Sequence, residues 1–169
     1  MTINILYLTS SIALWGIVHS ILASLSAKEL FRKTFGGRIM GLYRLGFNIF
    51  SVLSFLPIVY LIVTLSDQPL YSVPAPWSYL MLAGQGLSAL LLLVGILQTD
   101  TLSFMGLSQL WESEEKPSKL VTSGLYRYVR HPLYTFGLLF IWLSPSVSVN
   151  SFIVYVAATI YTIVGAYFE

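Results

Sequence analysis

The sequence predicts an all-α fold: a polytopic membrane helix bundle of about five transmembrane helices, the last two forming a hairpin. Three observations predict it. Hydrophobic residues make up 56% of the 169-residue chain and charged residues only 9%, against about 25% charged in an ordinary soluble domain, and the mean hydropathy is +0.79. Apolar runs recur at or near the roughly 20 residues that a helix needs to cross a bilayer. The nine Lys and Arg fall in two segments only, five in residues 28–44 and four in 116–130. The chain reads as one integral membrane domain, 1–169, with its most unusual stretch in the C-terminal part, 100–169.

Composition also excludes some functions. A small soluble globular core does not fit so few charges. A net charge of +2 is too small to argue for nucleic acid as a partner. The lack of cysteine rules out disulfides, thiolate metal sites and a cysteine nucleophile. Two histidines, His19 and His131, are too few for a zinc site unless carboxylates join them, so no metal is expected.

Ile3 to Leu25 is an apolar run of spanning length; without a basic start or a small-residue cleavage site it reads as a retained helix, not a signal peptide. Within it His19 comes four residues after Trp15, so the two share a helix face. Ser26 to Arg44 is expected to be a loop or interfacial segment, carrying Lys28, Arg32, Lys33, Arg38 and Arg44 and a Gly36-Gly37 turn. Leu45 to Ser66 is the second span, with Asn48 near its start and Pro57 in its interior, a position that membrane helices tolerate. Asp67 to Pro76 is a short turn without Lys or Arg. Trp77 to Thr99 is the third span, with Trp77 and Tyr79 as interface anchors and Gly84, Gly86 and Gly95 as packing positions. Asp100 to Arg130 is a long polar segment. The fourth helix starts at Pro132 and runs to about Leu143, then a turn leads to Asn150, and Ser151 to Phe168 is the fifth span, ending at Glu169.

The basic residues set the orientation. Five spans place both basic segments on one side, which the positive-inside rule makes the cytoplasm, with the N-terminus outside. The expected location is a membrane that borders the cytoplasm. The fourth helix is short: Pro132 to Leu143 spans roughly 18 Å at 1.5 Å per residue, less than the ~30 Å hydrocarbon core. Either it continues through Pro145, or it begins below the membrane surface and draws the preceding Arg-His-Pro segment into the interfacial layer.

That segment belongs to Leu120–Gly137, LVTSGLYRYVRHPLYTFG, where a Gly turn, two arginines, a histidine, a proline and three tyrosines lie between apolar runs. Gly124 permits a backbone turn that other residues resist, and Thr122 or Ser123 can cap the next few residues. Leu125 to Arg130 can form a short helical turn. The residue before a proline is pushed from helical geometry, making His131 a break point, and Pro132 suits the first position of the next helix. Free N–H groups at that helix start, with Arg127 and Arg130 just before it, favour a small, partly anionic ligand. Tyr126, Tyr128 and Tyr134 are available to stack or hydrogen-bond. Set against this, Arg and Tyr at a cytoplasmic membrane boundary are commonly anchors and topology signals alone.

The same stretch resembles the signature of the isoprenylcysteine carboxyl methyltransferase and phospholipid methyltransferase superfamily, Gly-x-Tyr-Arg-x-x-Arg-His-Pro-x-Tyr with a glycine beyond it, after an apolar Leu-Val-Thr. Leu120, Val121, Thr122, Gly124, Tyr126, Arg127, Arg130, His131, Pro132, Tyr134 and Gly137 carry the resemblance. The wider chain, with His19 to Ser24, Tyr43-Arg44-Leu45, Asn48 and Gly106 to Gln109, is similar to a bacterial branch that includes thiol methyltransferase-like and NnrU-like proteins. The resemblance implies a cytosol-facing S-adenosylmethionine site and a methyl acceptor that is a small molecule (thiol or carboxylate) or lipid-like. It implies cofactor binding by Leu120, Val121, Gly124, Tyr126, Arg127, His131, Pro132, Tyr134 and Glu169. Arg130 and His131 are the candidate catalytic residues, Arg130 with Arg127 answering ligand or acceptor charge and His131 hydrogen-bonding at the cofactor. The family carries a Glu-Glu pair after its final helix, whereas this sequence ends Gly165-Ala166-Tyr167-Phe168-Glu169; a shortened version of a longer protein is the expectation.

His19 and Asn48 lie, by helix rise, about 9 Å and 5 Å inside the cytoplasmic ends of their spans. They either line the acceptor side of the site or hydrogen-bond a neighbouring helix, and Trp15, Phe47 and Phe104 are candidates for an acceptor channel or for packing. Three other readings stay open: a sterol-type reductase of the same architecture, a bundle carrying haem on His19 and His131, and a family member without activity. The sequence leaves the oligomeric state open. Membrane lipids are the one partner that composition itself implies.

Overall fold

The computed structural model describes residues 2–36, 40–101, 105, 107 and 121–168. Its elements in chain order are α1 (Thr2–Ala23), α2 (Leu25–Phe35), α3 (Met40–Thr64), β1 (Pro69–Ser72), α4 (Trp77–Gln98), a 3-10 turn (Gly124–Arg127), α5 (Pro132–Trp142), β2 (Ser146–Ser148) and α6 (Val149–Phe168). This is an all-α polytopic membrane bundle. Four helices, α1, α3, α4 and α6, are long and apolar enough to cross a bilayer, and their large apolar side chains are mostly exposed, as lipid-facing surfaces require. Helix α3 runs unbroken through Pro57.

The helices pack in the spatial order α3–α1–α6–α5–α4. Polar side chains tie neighbours together: Asn4 Nδ2 donates to Ser66 Oγ at 2.9 Å, joining the start of α1 to the end of α3, and Trp142 Nε1 donates to Thr159 Oγ1 at 2.9 Å, joining α5 to α6. Helices α5 and α6 form the expected terminal hairpin. Helix α6 therefore contacts both α1 and α5.

The expected fourth crossing is an 11-residue helix, roughly 16 Å long at 1.5 Å per residue. It ends at Trp142, with Leu143 as its C-cap, and does not continue through Pro145. It runs antiparallel to α4: a Cβ on Gly95 would lie 3.1 Å from Leu133, and one on Gly84 would lie 3.0 Å from Leu143. Gly84 is about two turns inside the start of α4 and Gly95 about one turn from its end. Most of the missing length is thus at the end away from Arg130, not at the motif end. There the chain is extended, and β2 pairs antiparallel with β1, Tyr71 opposite Val147 and Ser72 opposite Ser146. Both stretches read as plain turns in the sequence. Pairing satisfies backbone groups that a non-helical segment beside a membrane would otherwise leave open.

Asp67 anchors this end. Its carboxylate accepts from the backbone N–H of Gln68 at 2.8 Å and of Asn150 at 3.0 Å. Burial pushes its pKa up, but hydrogen bonds from the Ser148 side chain and the Asn150, Gln68 and Val149 backbone outweigh this and hold it below its ordinary value.

At the opposite end, the segment expected as a loop or interfacial stretch contains the amphipathic helix α2. Ser24 caps it, its Oγ accepting from Ala27 N–H at 3.2 Å, and Gly36 ends it at φ 82°. Lys28, Arg32 and Lys33 lie on it, Arg44 opens α3, and Arg127 and Arg130 precede α5. All six described cations thus share the end of the bundle opposite Asp67.

Candidate active site

The polypeptide reaches the motif through a turn that Gly124 makes possible. Gly124 has φ 62°, a region that costs other L-residues roughly 1–2 kcal/mol, and a Cβ there would collide with the Gln98 side-chain amide. Gln98 Oε1 accepts the Leu125 N–H at 2.9 Å. The start of the 3-10 turn is therefore capped from α4; Ser123, its N-cap residue, contributes no side-chain hydrogen bond. This corrects the expectation that Thr122 or Ser123 caps the turn. Tyr128 and Val129 N–H both donate to the Leu125 carbonyl, at 3.1 and 3.0 Å, and close the turn.

His131 breaks the chain direction as expected, at φ −127° and ψ 71°. Pro132 opens α5 and is fully buried, packed toward Gly95 of α4. The first helical hydrogen bond runs from Thr135 N–H to the His131 carbonyl at 3.0 Å. One turn into α5, the Tyr134 ring stacks on His131 with centroids 5.4 Å apart and planes 16° from parallel. A Cβ on Gly165 of α6 would lie 4.0 Å from the Tyr134 hydroxyl, so the motif meets the last helix at a residue without a side chain.

The remaining sequence-derived site residues divide by exposure. Val121 and Tyr126 are half-buried, and burial pushes the Tyr126 hydroxyl pKa up. Arg127 and Arg130 are exposed at the cationic end. Tyr128 is 83% exposed and takes no part in the stacking. Leu120, Glu169, Phe104, Gly106, Ser108 and Gln109 lie outside the described residues. The structure thus brings His131, Pro132 and Tyr134 together against α4 and α6, with Tyr126 and both arginines on the stretch just before them.

A second cluster forms where α1 and α3 meet α6. Trp15 and His19 share a face and stack at 4.6 Å, and Phe47 packs on His19 at 4.8 Å. Ser51 Oγ lies 3.1 Å from His19 Nδ1, and Trp15 Nε1 donates to Ser54 Oγ at 3.0 Å. Tyr161 of α6 sits edge-on to His19 at 6.0 Å. The sequence offers Trp15, His19, Phe47 and Asn48 either for an acceptor site or for packing between helices; the structure joins Trp15, His19 and Phe47 and adds Ser51, Ser54 and Tyr161, which the sequence reading missed. The spacing of Ser51 and Ser54, three residues apart on one face of an apolar span, is the signal that could have found the two serines. The two histidines belong to separate clusters, and among the described residues no group of three His, Cys, Asp or Glu gathers to hold a metal ion. Beyond Phe47 an open cleft of about 250 Å³ is lined by Leu22, Phe31, Leu42, Tyr43, Gly46, Phe47 and Phe50; none of the described motif residues borders it.

Residues 41–168 match the family described as "Protein of unknown function (DUF1295)". Methanethiol S-methyltransferase from Crocosphaera subtropica (strain ATCC 51142 / BH68) is 31% identical over 104 residues, which cover 55% of this chain and 41% of that protein. The chain therefore spans less than half the length of that relative. No solved structure matches it. The two matches bear out the resemblance to the isoprenylcysteine and phospholipid methyltransferase superfamily, in its thiol methyltransferase-like branch. By the match over most of its length, the chain belongs to the DUF1295 family.

Proposed function

We propose that this protein is a membrane-embedded methyltransferase that takes its methyl group from S-adenosylmethionine and delivers it to a small thiol. The observation that carries the reading is the hinge at His131–Pro132, where a stacked imidazole and phenol lie beside two arginines at the cationic end of the bundle. The thiol acceptor rests on the name of the methanethiol S-methyltransferase relative.

The residues present fit the cofactor's chemistry. Its sulfonium is a cation that aromatic faces attract, and Tyr126, Tyr134 and His131 offer such faces. Its carboxylate is an anion that Arg127 or Arg130 can pair with through two parallel N–H···O bonds. Val121, Gly124 and Pro132 shape the wall, Gly124 by holding the turn and Pro132 by starting α5. Leu120 and Glu169 complete the proposed cofactor set. When bound, the cofactor supplies an electrophilic methyl carbon. The chain's own task is then to hold donor and acceptor in line and to keep water away, which is what such a displacement needs most. Arg130 and His131 act closest to the transferred group, Arg130 through charge and His131 through hydrogen bonding. Orientation comes from the positive-inside rule, which puts the six described cations and the motif in the cytoplasm of a bacterial inner membrane.

Transfer of a tritiated methyl group from S-adenosylmethionine to methanethiol by the purified protein tests this reading. A thioether product that disappears with Arg130→Ala or His131→Ala is expected. Folded protein that neither transfers the label nor binds S-adenosylhomocysteine overturns it.

A further inference from the structure

The cluster around His19 carries an arrangement that the methyl-donor site does not use. Hydrogen bonding selects one tautomer of the neutral imidazole. Ser51 Oγ lies 2.7 Å from the Phe47 carbonyl, which can only accept, and 3.1 Å from His19 Nδ1. The assignment that makes both contacts hydrogen bonds has the serine donate to the carbonyl and accept from Nδ1, which then carries the hydrogen. The other ring nitrogen, Nε2, is then the one with the lone pair. Among the described residues no hydrogen bond engages it. The ring is held by Trp15 and Phe47 on its faces, and Trp15 is itself fixed by its hydrogen bond to Ser54.

Helix α6 connects this base to the motif. Tyr161, which meets His19 edge-on and approaches Ser20 Oγ at 3.3 Å, is one helical turn before Gly165, which meets the Tyr134 hydroxyl. Residues four apart share a helix face and differ by about 6 Å in height. His19 and Tyr134 thus approach the same stripe of α6 about one turn apart. On its other side His19 packs on Phe47, which also lines the apolar cleft.

We propose that His19 is the acceptor-site base, its Nε2 taking the proton of a small thiol bound among Trp15, Phe47 and Tyr161. The proposal rests on the thiol methyltransferase reading above. In the step, the thiol S–H bond breaks, the proton forms an N–H bond at Nε2, and the electron pair stays on sulfur. That pair forms the new S–C bond to the donor methyl carbon while the donor's C–S pair returns to its own sulfur, leaving a neutral thioether. The imidazolium keeps its Nδ1–H bond to Ser51 and the two aromatic faces, and gives its proton to water between turnovers. Ser51 is a positioning residue, acting only through the ring it orients.

Two measurements on the full chain in detergent test the proposal. Nitrogen-15 NMR of labelled histidine, assigned by His19→Gln, is expected to show Nδ1 protonated and Nε2 bare; a hydrogen on Nε2 in the neutral ring overturns it. Methyl transfer is then compared between methanethiol, protonated at neutral pH, and 4-nitrothiophenol, already ionised there. His19→Gln should slow the first by about 10²–10⁴-fold, the usual contribution of a positioned base, and the second by less than about tenfold. Equal slowing of both, or of neither, overturns the proposal. Wild-type protein that methylates neither thiol defeats the thiol methyltransferase reading itself, and this proposal with it. Should His19→Gln fail to fold, Ser51→Ala keeps the imidazole but removes its acceptor, and the same selective loss, smaller in size, is expected; an unselective change overturns the proposal.

Discussion

Replacing Gly124 by alanine tests how the motif is held. Two costs arise from the structure. The residue sits at φ 62°, where an L-residue with a Cβ loses roughly 1–2 kcal/mol. The new Cβ also meets the Gln98 side-chain carbon and oxygen at 2.5 Å, so the amide must move and its 2.9 Å bond to Leu125 N–H is lost, about another 1 kcal/mol. The expected destabilisation is about 2–3 kcal/mol, the sum of those two contributions. The assay is reversible unfolding in mixed detergent micelles, with Gly137→Ala as control, because Gly137 lacks a positive φ and has no neighbour within 4 Å of a built Cβ. A double-mutant cycle with Gln98→Ala separates the two costs. Removing the amide relieves the collision, so the double variant should be more stable than the sum of the singles by about 1 kcal/mol, within the range for residues in contact. Strict additivity, or a Gly124→Ala protein as stable as the control, would refute the reasoning.

Two further outcomes concern the α4–α5 contact and the far end of the bundle. Gly84→Leu should lower the unfolding midpoint through overpacking against Leu143, by about 1–3 kcal/mol, whereas Gly86→Leu, which meets nothing within 4 Å, should leave it nearly unchanged; equal midpoints for the two count against the α4–α5 pairing. Asp67, held below its ordinary pKa in the folded protein, contributes stability that is fully present above the unfolded value of about 4. That stability is lost as pH falls through the lower folded value. Unfolding midpoints measured from about pH 6 to about pH 3 should fall more steeply for wild type than for Asp67→Asn, and parallel curves would contradict the assignment.

Much of the architecture was legible because a membrane imposes a strong rule. A run of about 20 apolar residues has few alternatives to a spanning helix, so α1, α3, α4 and α6 stand out. The hinge was legible for a local reason, since proline restricts both itself and the residue before it. The Trp15–His19 stack was readable from a four-residue spacing alone. Other features depend on partners distant in sequence. Nothing local to Leu125 shows that its N–H is taken by Gln98, and nothing in Pro69–Ser72 shows that it pairs with Ser146–Ser148. Helix α2 was missed for a different reason: its Ser24 cap and amphipathic pattern were readable, but its basic charge reads equally well as a loop. The Ser51–His19 contact needed the two spans to be placed side by side before the tautomer could be argued.

The central claim is that the stretch around His131 and Pro132 holds a sulfonium methyl donor. Calorimetric titration of the purified protein with S-adenosylhomocysteine tests it most directly. Saturable binding is predicted, weakened about 10–100-fold by Arg130→Ala, as the loss of a charged hydrogen bond of about 1.5–3 kcal/mol requires. Folded wild-type protein that releases no binding heat and yields no labelled complex, or binding that Arg130→Ala and His131→Ala leave untouched, would contradict it.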